Sequence, residues 1–178
     1  MTARPQVTVT VRQYRPEDHA TVTKIFIEGV MAADKNLDYR YLWEERLRKD
    51  LTTDLADIQA NLVAPGGNFW VAVGTTNGAS KIVGIIALYR RSEAVGEVKC
   101  VYVDQSCQRM GVGRKLIAQL ESWSRQNGIK SLFLTINAAN EKSHGFYNAL
   151  GYSMVDEEDL YIWQKIKYFP VHKFVKEL

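Results

Sequence analysis

The stretch Gln108-Arg109-Met110-Gly111-Val112-Gly113 decides how this chain is read. It lies between Val95 to Asp104, which reads as a strand, and Gly111 to Asn127, which reads as a helix. A strand that turns through glycines into a helix leaves the first N–H groups of that helix without partners. The positive end of the helix dipole stands behind them, so the turn is built for a phosphate or pyrophosphate. Gly111 and Gly113 carry no Cβ to keep the backbone from an anion. Arg109 and Arg114 add charge where a diphosphate would lie. The expected ligand is a phosphorylated cofactor.

Two common phosphate motifs do not fit. The dinucleotide fingerprint needs a third glycine where Leu116 stands, and the P-loop needs a second glycine and a Ser/Thr after Lys115. The pattern present is Gln/Arg-x-x-Gly-x-Gly, and it has company. Glu97 precedes Gln108 by eleven positions on the preceding strand, and Asn140, Ser143, Tyr147, Gly151 and Tyr152 follow in order. Together, over roughly Lys81 to Lys167, these residues resemble the GNAT superfamily of acetyl-CoA-dependent N-acetyltransferases. The resemblance implies a central, mixed, mostly antiparallel twisted sheet of about seven strands flanked by about four helices. It implies acetyl-CoA as co-substrate, held by Gln108, Arg109, Met110, Gly111, Val112, Gly113 and Arg114. Asn140 would contact the cofactor as well as cap its own helix.

A narrower resemblance lies outside that core. Val11-Arg12-Gln13-Tyr14 with Glu17-Asp18-His19, and Asp54-Leu55-Ala56-Asp57-Ile58 leading to Gly67 to Val73, look like the camello-type N-acetyltransferases. That group carries a long apolar insertion after its first helix. Here Tyr39 to Asp50 is charged at nearly every turn and cannot lie in hydrocarbon. The chain therefore reads as a relative without that group's membrane setting.

Acetyl transfer to an amine sets its own requirements. An unperturbed lysine keeps its proton to a pKa of ~10.4, so some group must remove it. By the resemblance Glu97 is the general base, and a carboxylate on a mostly buried strand beside a cleft is expected to have its pKa raised. The alternative is a strand glutamate paired with Lys99 or Arg90. Alternation puts Glu97, Lys99, Val101 and Val103 on one face unless a bulge intervenes, and the family has such a bulge. The family's spacing makes the Val101 N–H the oxyanion donor and gives Val103 the pantetheine arm. Tyr147 would protonate the leaving thiolate; otherwise it is an aromatic packed on the sheet. The acceptor is a small-molecule amine or a lysine or N-terminal amine. A non-catalytic acyl-CoA-binding regulator on the same fold remains the other reading.

Bulk properties agree with an enzyme of one domain, residues 1–178. Hydrophobic residues make up 46% and charged residues 24%, which excludes a disordered or fibrous chain. A net charge of +3, with basic residues spread out, gives no case for nucleic acid. Three scattered histidines lack metal-ligand spacing, and Cys100 and Cys107 are too few for a disulfide framework. Met1 to Gln13 has no signal-peptide core, so cytoplasm is the expected compartment.

The alternation of strand and helix predicts an α/β (α+β) domain. Strands are expected at Gln6–Tyr14, Phe69–Thr75, Lys81–Arg91 and Ser131–Asn137, with a turn at Asn77-Gly78. Helices are expected from Pro16 to about Ala33, within Leu37–Val63, and from Asn140 to Leu150. Tyr152–Val155 and Leu160–Tyr168 should flank an acidic turn at Asp156–Asp159. Val112, Leu116, Leu120 and Trp123 form one apolar stripe on the phosphate helix. Six acids, Asp34, Asp38, Glu44, Glu45, Asp50 and Asp54, either attract a cationic amine or form a solvated helix face. The apolar tail from Tyr168 packs on the core or pairs with a second subunit as a homodimer.

Overall fold

A computed structural model describes residues 7–33, 40–138, 140–161 and 168–178. Seven strands form one sheet in the order β1-β2-β3-β4-β5-β7-β6. They are β1 (Thr8–Gln13), β2 (Asn68–Thr76), β3 (Ala79–Arg90), β4 (Val95–Val103), β5 (Ser131–Asn137), β6 (Ser153–Tyr161) and β7 (Tyr168–Glu177). Every neighbouring pair is antiparallel except β4 and β5. The helices are α1 (His19–Ala33), α2 (Arg40–Thr52), α3 (Val112–Gln126) and α4 (Glu141–Asn148). The mixed seven-stranded sheet with four main helices agrees with the sequence reading.

Local chemistry explains the joints. Asn77 and Gly78 both take positive φ, 50° and 81°, the turn that matches the twist of the β2–β3 hairpin. The expected helix at Pro16 begins as a 3-10 turn, Pro16–Asp18, and Asp18 accepts a hydrogen bond from the Arg15 N–H at 2.9 Å. Of the helical span expected within Leu37–Val63, residues 37–39 lie outside the described residues and the rest holds α2 and a π-helical turn at Gln59–Val63.

Two cores sit on opposite faces of the sheet. Trp70, Ala72, Ile86 and Leu88 face α3, whose Val112, Leu116 and Leu120 are buried as the stripe predicts. Trp123 completes the stripe with its ring edge-on to Trp70, 5.7 Å between centroids. On the other face Phe69, Val71, Ile85 and Ala87 meet Val22, Ile25 and Phe26 of α1. Covering both faces makes β2 and β3 near-continuous apolar runs.

One expectation needs correction. Asp156–Asp159 is not a turn: β6 runs through it, in register with β7 from Asp156↔Lys173 to Tyr161↔Tyr168. Residues 162–167, part of the predicted strand, lie outside the described residues. The tail from Tyr168 is β7, paired with β5 on one side and β6 on the other, and its Phe174 is buried in the α3 core, the first of the two packings expected of it. Hydrogen bonding of β6 to β7 outweighed the local acidity that suggested a loop.

Candidate active site

The strand holding Glu97 carries an extra residue. Ile85 pairs with Tyr102 and Ala87 with Lys99, so Cys100 and Val101 together oppose Ile86. Cys100 takes φ 54°, in the left-handed region. This bulge re-aims the strand. Lys99 packs over the ring of Tyr89, and Cys100 and Tyr102 join the α1 core, whereas Val98, Val101 and Val103 join the α3 core. Plain alternation, which set Val101 and Val103 beside Glu97, therefore fails at the bulge. Glu97, directly across from Tyr89, faces the α1 side.

At the same place the sheet opens. β4 and β5 pair at Val95↔Ser131, Gly96↔Leu132 and Glu97↔Phe133 and no further. Beyond Glu97, β4 continues with β3 and β5 with β7. The gap between them is a cavity of about 210 Å³, walled by Val98 to Tyr102 and Leu134 to Asn137. Trp43, Arg46, Asp50 and Asp54 close it from α2 and the loop after it. Of the six acids singled out, Asp50 and Asp54 reach the cavity; Glu44 instead pairs with Arg40 on the surface, Arg40 Nε to Oε1 at 2.9 Å. Asp34 and Asp38 lie outside the described residues.

The phosphate turn stands on the α3 side. Gly111, the N-cap of α3, takes φ 78°, and no side chain caps the helix. A Cβ at Gly111 would point into open space, so φ rather than room requires the glycine; at Gly113 a Cβ would come within 3.1 Å of the Phe146 ring. A groove of about 520 Å³ runs along this turn, lined by Val101, Val103, Gln108, Arg109, Gly111, Val112, Gly113 and Arg114. Uncapped helix N–H groups and two arginines suit a diphosphate. Two predicted members stand elsewhere. Met110 is exposed and off the groove, and Asn140 lines the cavity while its side chain accepts from the Ser143 N–H.

Groove and cavity meet at three residues, Val101, Ser143 and Tyr147, which line both. Tyr147 is buried, and burial raises its pKa above the ordinary phenol range, so its hydroxyl holds its proton at neutral pH. Glu97 is largely buried and ion-paired with Arg91, whose Nε donates to it at 2.6 Å. It does not line the cavity. The partner is neither of the two expected; Arg90 donates to the carbonyls of Ser92, Glu93 and Asn127.

Several residues escaped the sequence reading. Lys142 and Phe146 line the groove beside Ser143 and Tyr147, the same face of α4 at helical spacing. That periodicity was available once Tyr147 had been chosen. Tyr89, Lys99 and Tyr102 line the cavity from β3 and β4. Tyr102 turns to it through the bulge, and all three meet open space through the β4–β5 gap, which no local pattern reveals.

This architecture, a splayed sheet with an uncapped helix end beside the split, is that of an acyl-transferring enzyme. The chain belongs to the acetyltransferase (GNAT) family, whose model matches residues 31–152, and it is an N-acetyltransferase. It is similar to the N-acetylaspartate synthetase of Danio rerio, 24% identical over 86% of this chain and 70% of that protein. The N-acetylaspartate synthetase of Xenopus tropicalis is 32% identical over 59% of this chain and 38% of its own length. These relatives fit the camello-type kinship read from the sequence. An acetyltransferase from Streptococcus agalactiae shares the fold, with a TM-score of 0.71 at 19% identity over 96% of this chain and 98% of that one. A putative acetyltransferase from Salmonella typhimurium, solved with its cofactor acetyl-CoA, has a TM-score of 0.66 at 21% identity over 96% and 94%. Among the described residues no helix is long and apolar enough to cross a membrane.

Proposed function

We propose that the chain transfers an acetyl group from acetyl-CoA to a primary amine by direct attack on the thioester. The observation that carries this reading is the junction at Val101, Ser143 and Tyr147, where the phosphate groove opens into the inner cavity. The α3 N-terminus with Arg109 and Arg114 holds the diphosphate, and Val103 on the groove wall meets the pantetheine arm. Bound acetyl-CoA supplies an activated carbonyl. The Val101 N–H, in the splayed segment of β4, stabilises the oxyanion that forms there.

Proton handling falls to two groups. Glu97 takes the amine proton through water, because its carboxylate stands outside the cavity wall. Tyr147 is the acid. A phenol whose pKa burial has raised transfers its proton reluctantly to a thiolate of ordinary pKa ~8.5, so its main contribution is a hydrogen bond to the departing sulfur. The acceptor is an amine small enough for the cavity, and the two relatives are named for an acetylated aspartate.

The test is free-thiol release from acetyl-CoA by purified protein. The amines offered are aspartate and other free amino acids, cysteine S-conjugates, polyamines, aminoglycosides, and lysine or N-terminal peptides. Glu97→Gln should retain acetyl-CoA affinity and lose about 10²- to 10³-fold in turnover. Unchanged turnover in that variant would remove Glu97 as base. Acetyl-CoA binding with no turnover on any amine would replace the enzyme by an acyl-CoA-binding regulator.

A further inference from the structure

The charges inside the cavity do not all cancel. Arg46 is ion-paired with Asp50, Nε to Oδ2 at 3.5 Å, and its guanidinium also lies over the Trp43 ring. Among the described residues Lys99 has no such carboxylate. Among the described residues its ammonium meets only the face of Tyr89, 4.9 Å from the ring centroid, in reach of the Cys100 thiol. Asp54 has the opposite deficit: it reaches the Tyr89 hydroxyl and forms no ion pair among the described residues. One aromatic ring thus carries a cation over its face and a carboxylate at its hydroxyl, neither of them in an ion pair among the described residues. Both line the cavity, beside the bulge where the thioester carbonyl is to be attacked.

A half-enclosed charge without a partner attracts an opposite charge from the ligand, at low cost because it is already partly desolvated. A polyamine would satisfy Asp54 and be repelled by Lys99. A peptide lysine would bring no carboxylate near its amine. A free amino acid brings both signs on one carbon skeleton, and a cavity of about 210 Å³ is of the size for one. We infer that the acceptor is a free amino acid whose carboxylate is held by Lys99, with Asp54 drawing in its ammonium group. The inference rests on the acetyl-transfer reading above and names the acceptor class for the same site.

The experiment compares free amino acids, aspartate among them, with their α-carboxamides and with the corresponding decarboxylated amines. Acids should be turned over in preference to both. Lys99→Gln should raise KM for the acids about ten- to hundred-fold, the weight of one charge-assisted hydrogen bond, and remove the preference over carboxamides. Its kcat and its KM for acetyl-CoA should stay near those of the parent, and Lys99→Arg should recover most of the lost affinity. Equal use of acids, carboxamides and decarboxylated amines, or an unmoved KM in Lys99→Gln, overturns the assignment. Calorimetric titration of the same ligands separates the two levels. Amino-acid binding that Lys99→Gln abolishes, in a protein without turnover, supports this inference and sinks only the transferase reading. Turnover restricted to polyamines or peptides sinks the inference and leaves the transferase intact.

Discussion

The two faces of β4 make unlike demands on the residues that build them. The α3 face offers backbone: a left-handed glycine and a helix end that no side chain caps, both beside a groove. The α1 face offers side chains, with Tyr89, Lys99, Asp54 and Arg46 projected into a cavity. Backbone recognition suits a cofactor that never changes. Side-chain recognition suits a ligand to which a site must be tuned, because a side chain can be exchanged without moving the fold. The single extra residue at Cys100 is what lets one strand serve both.

That contrast predicts separable damage. Gly29→Ala should have the largest effect, since a Cβ there would stand 2.2 Å from the Tyr102 ring and push α1 off the sheet. A loss of about 3 kcal/mol in stability is expected, with weakened acceptor binding and acetyl-CoA affinity largely kept in the folded fraction. Equilibrium unfolding and calorimetry would check it; equal loss of both ligands would break the division into two faces. Gly111→Val comes next. Forcing a β-branched residue to φ 78° costs about 1–2 kcal/mol and crowds the groove, so acetyl-CoA affinity should fall about tenfold or more while acceptor binding persists.

A third variant tests the scaffold below the acceptor face. Asp18 is buried and takes a bidentate pair of bonds from Arg12, at 2.7 and 2.8 Å. The Arg12 hydrogen bond holds its carboxyl below the ordinary range, against the effect of burial. Protonation is therefore harder in the folded chain. The stabilisation is complete above the unfolded value near ~3.9 and is lost as pH falls through the lower folded one. Asp18→Asn should cost about 1–2 kcal/mol at neutral pH and flatten the acid limb of the stability profile. The smallest effect concerns Cys100, whose thiol burial pushes up to about 12. Alkylation of Cys100 near neutral pH should be slow, and fast labelling followed by mass spectrometry would show the bulge to be open.

The α3 face was legible in the sequence because its signals are local. Gln108 to Gly113 announces a turn, and Val112, Leu116, Leu120 and Trp123 announce the helix behind it, all within one short window. Met110 is the instructive exception: it lies inside the motif, yet points to solvent, since a turn that offers its backbone has no use for every side chain in it. The cavity was illegible for the opposite reason. Tyr102 reaches it only because one residue loops out at Cys100, and Lys99 and Tyr89 meet open space there only because β4 and β5 part beyond Glu97. Neither fact is written in any window of neighbouring residues. Asp156–Asp159 misled through composition, as four successive acids look like a loop until a partner strand arrives to pair their backbone.

The strand order also governs how the molecule can be assembled during synthesis. β6 touches the rest of the sheet only through β7, which the ribosome makes afterwards. Until then β5 and β6 both present unpaired edges, with Met154 and Val155 already exposed on the second of them. A nascent chain paused between the two strands would be a target for chaperones and a seed for aggregation.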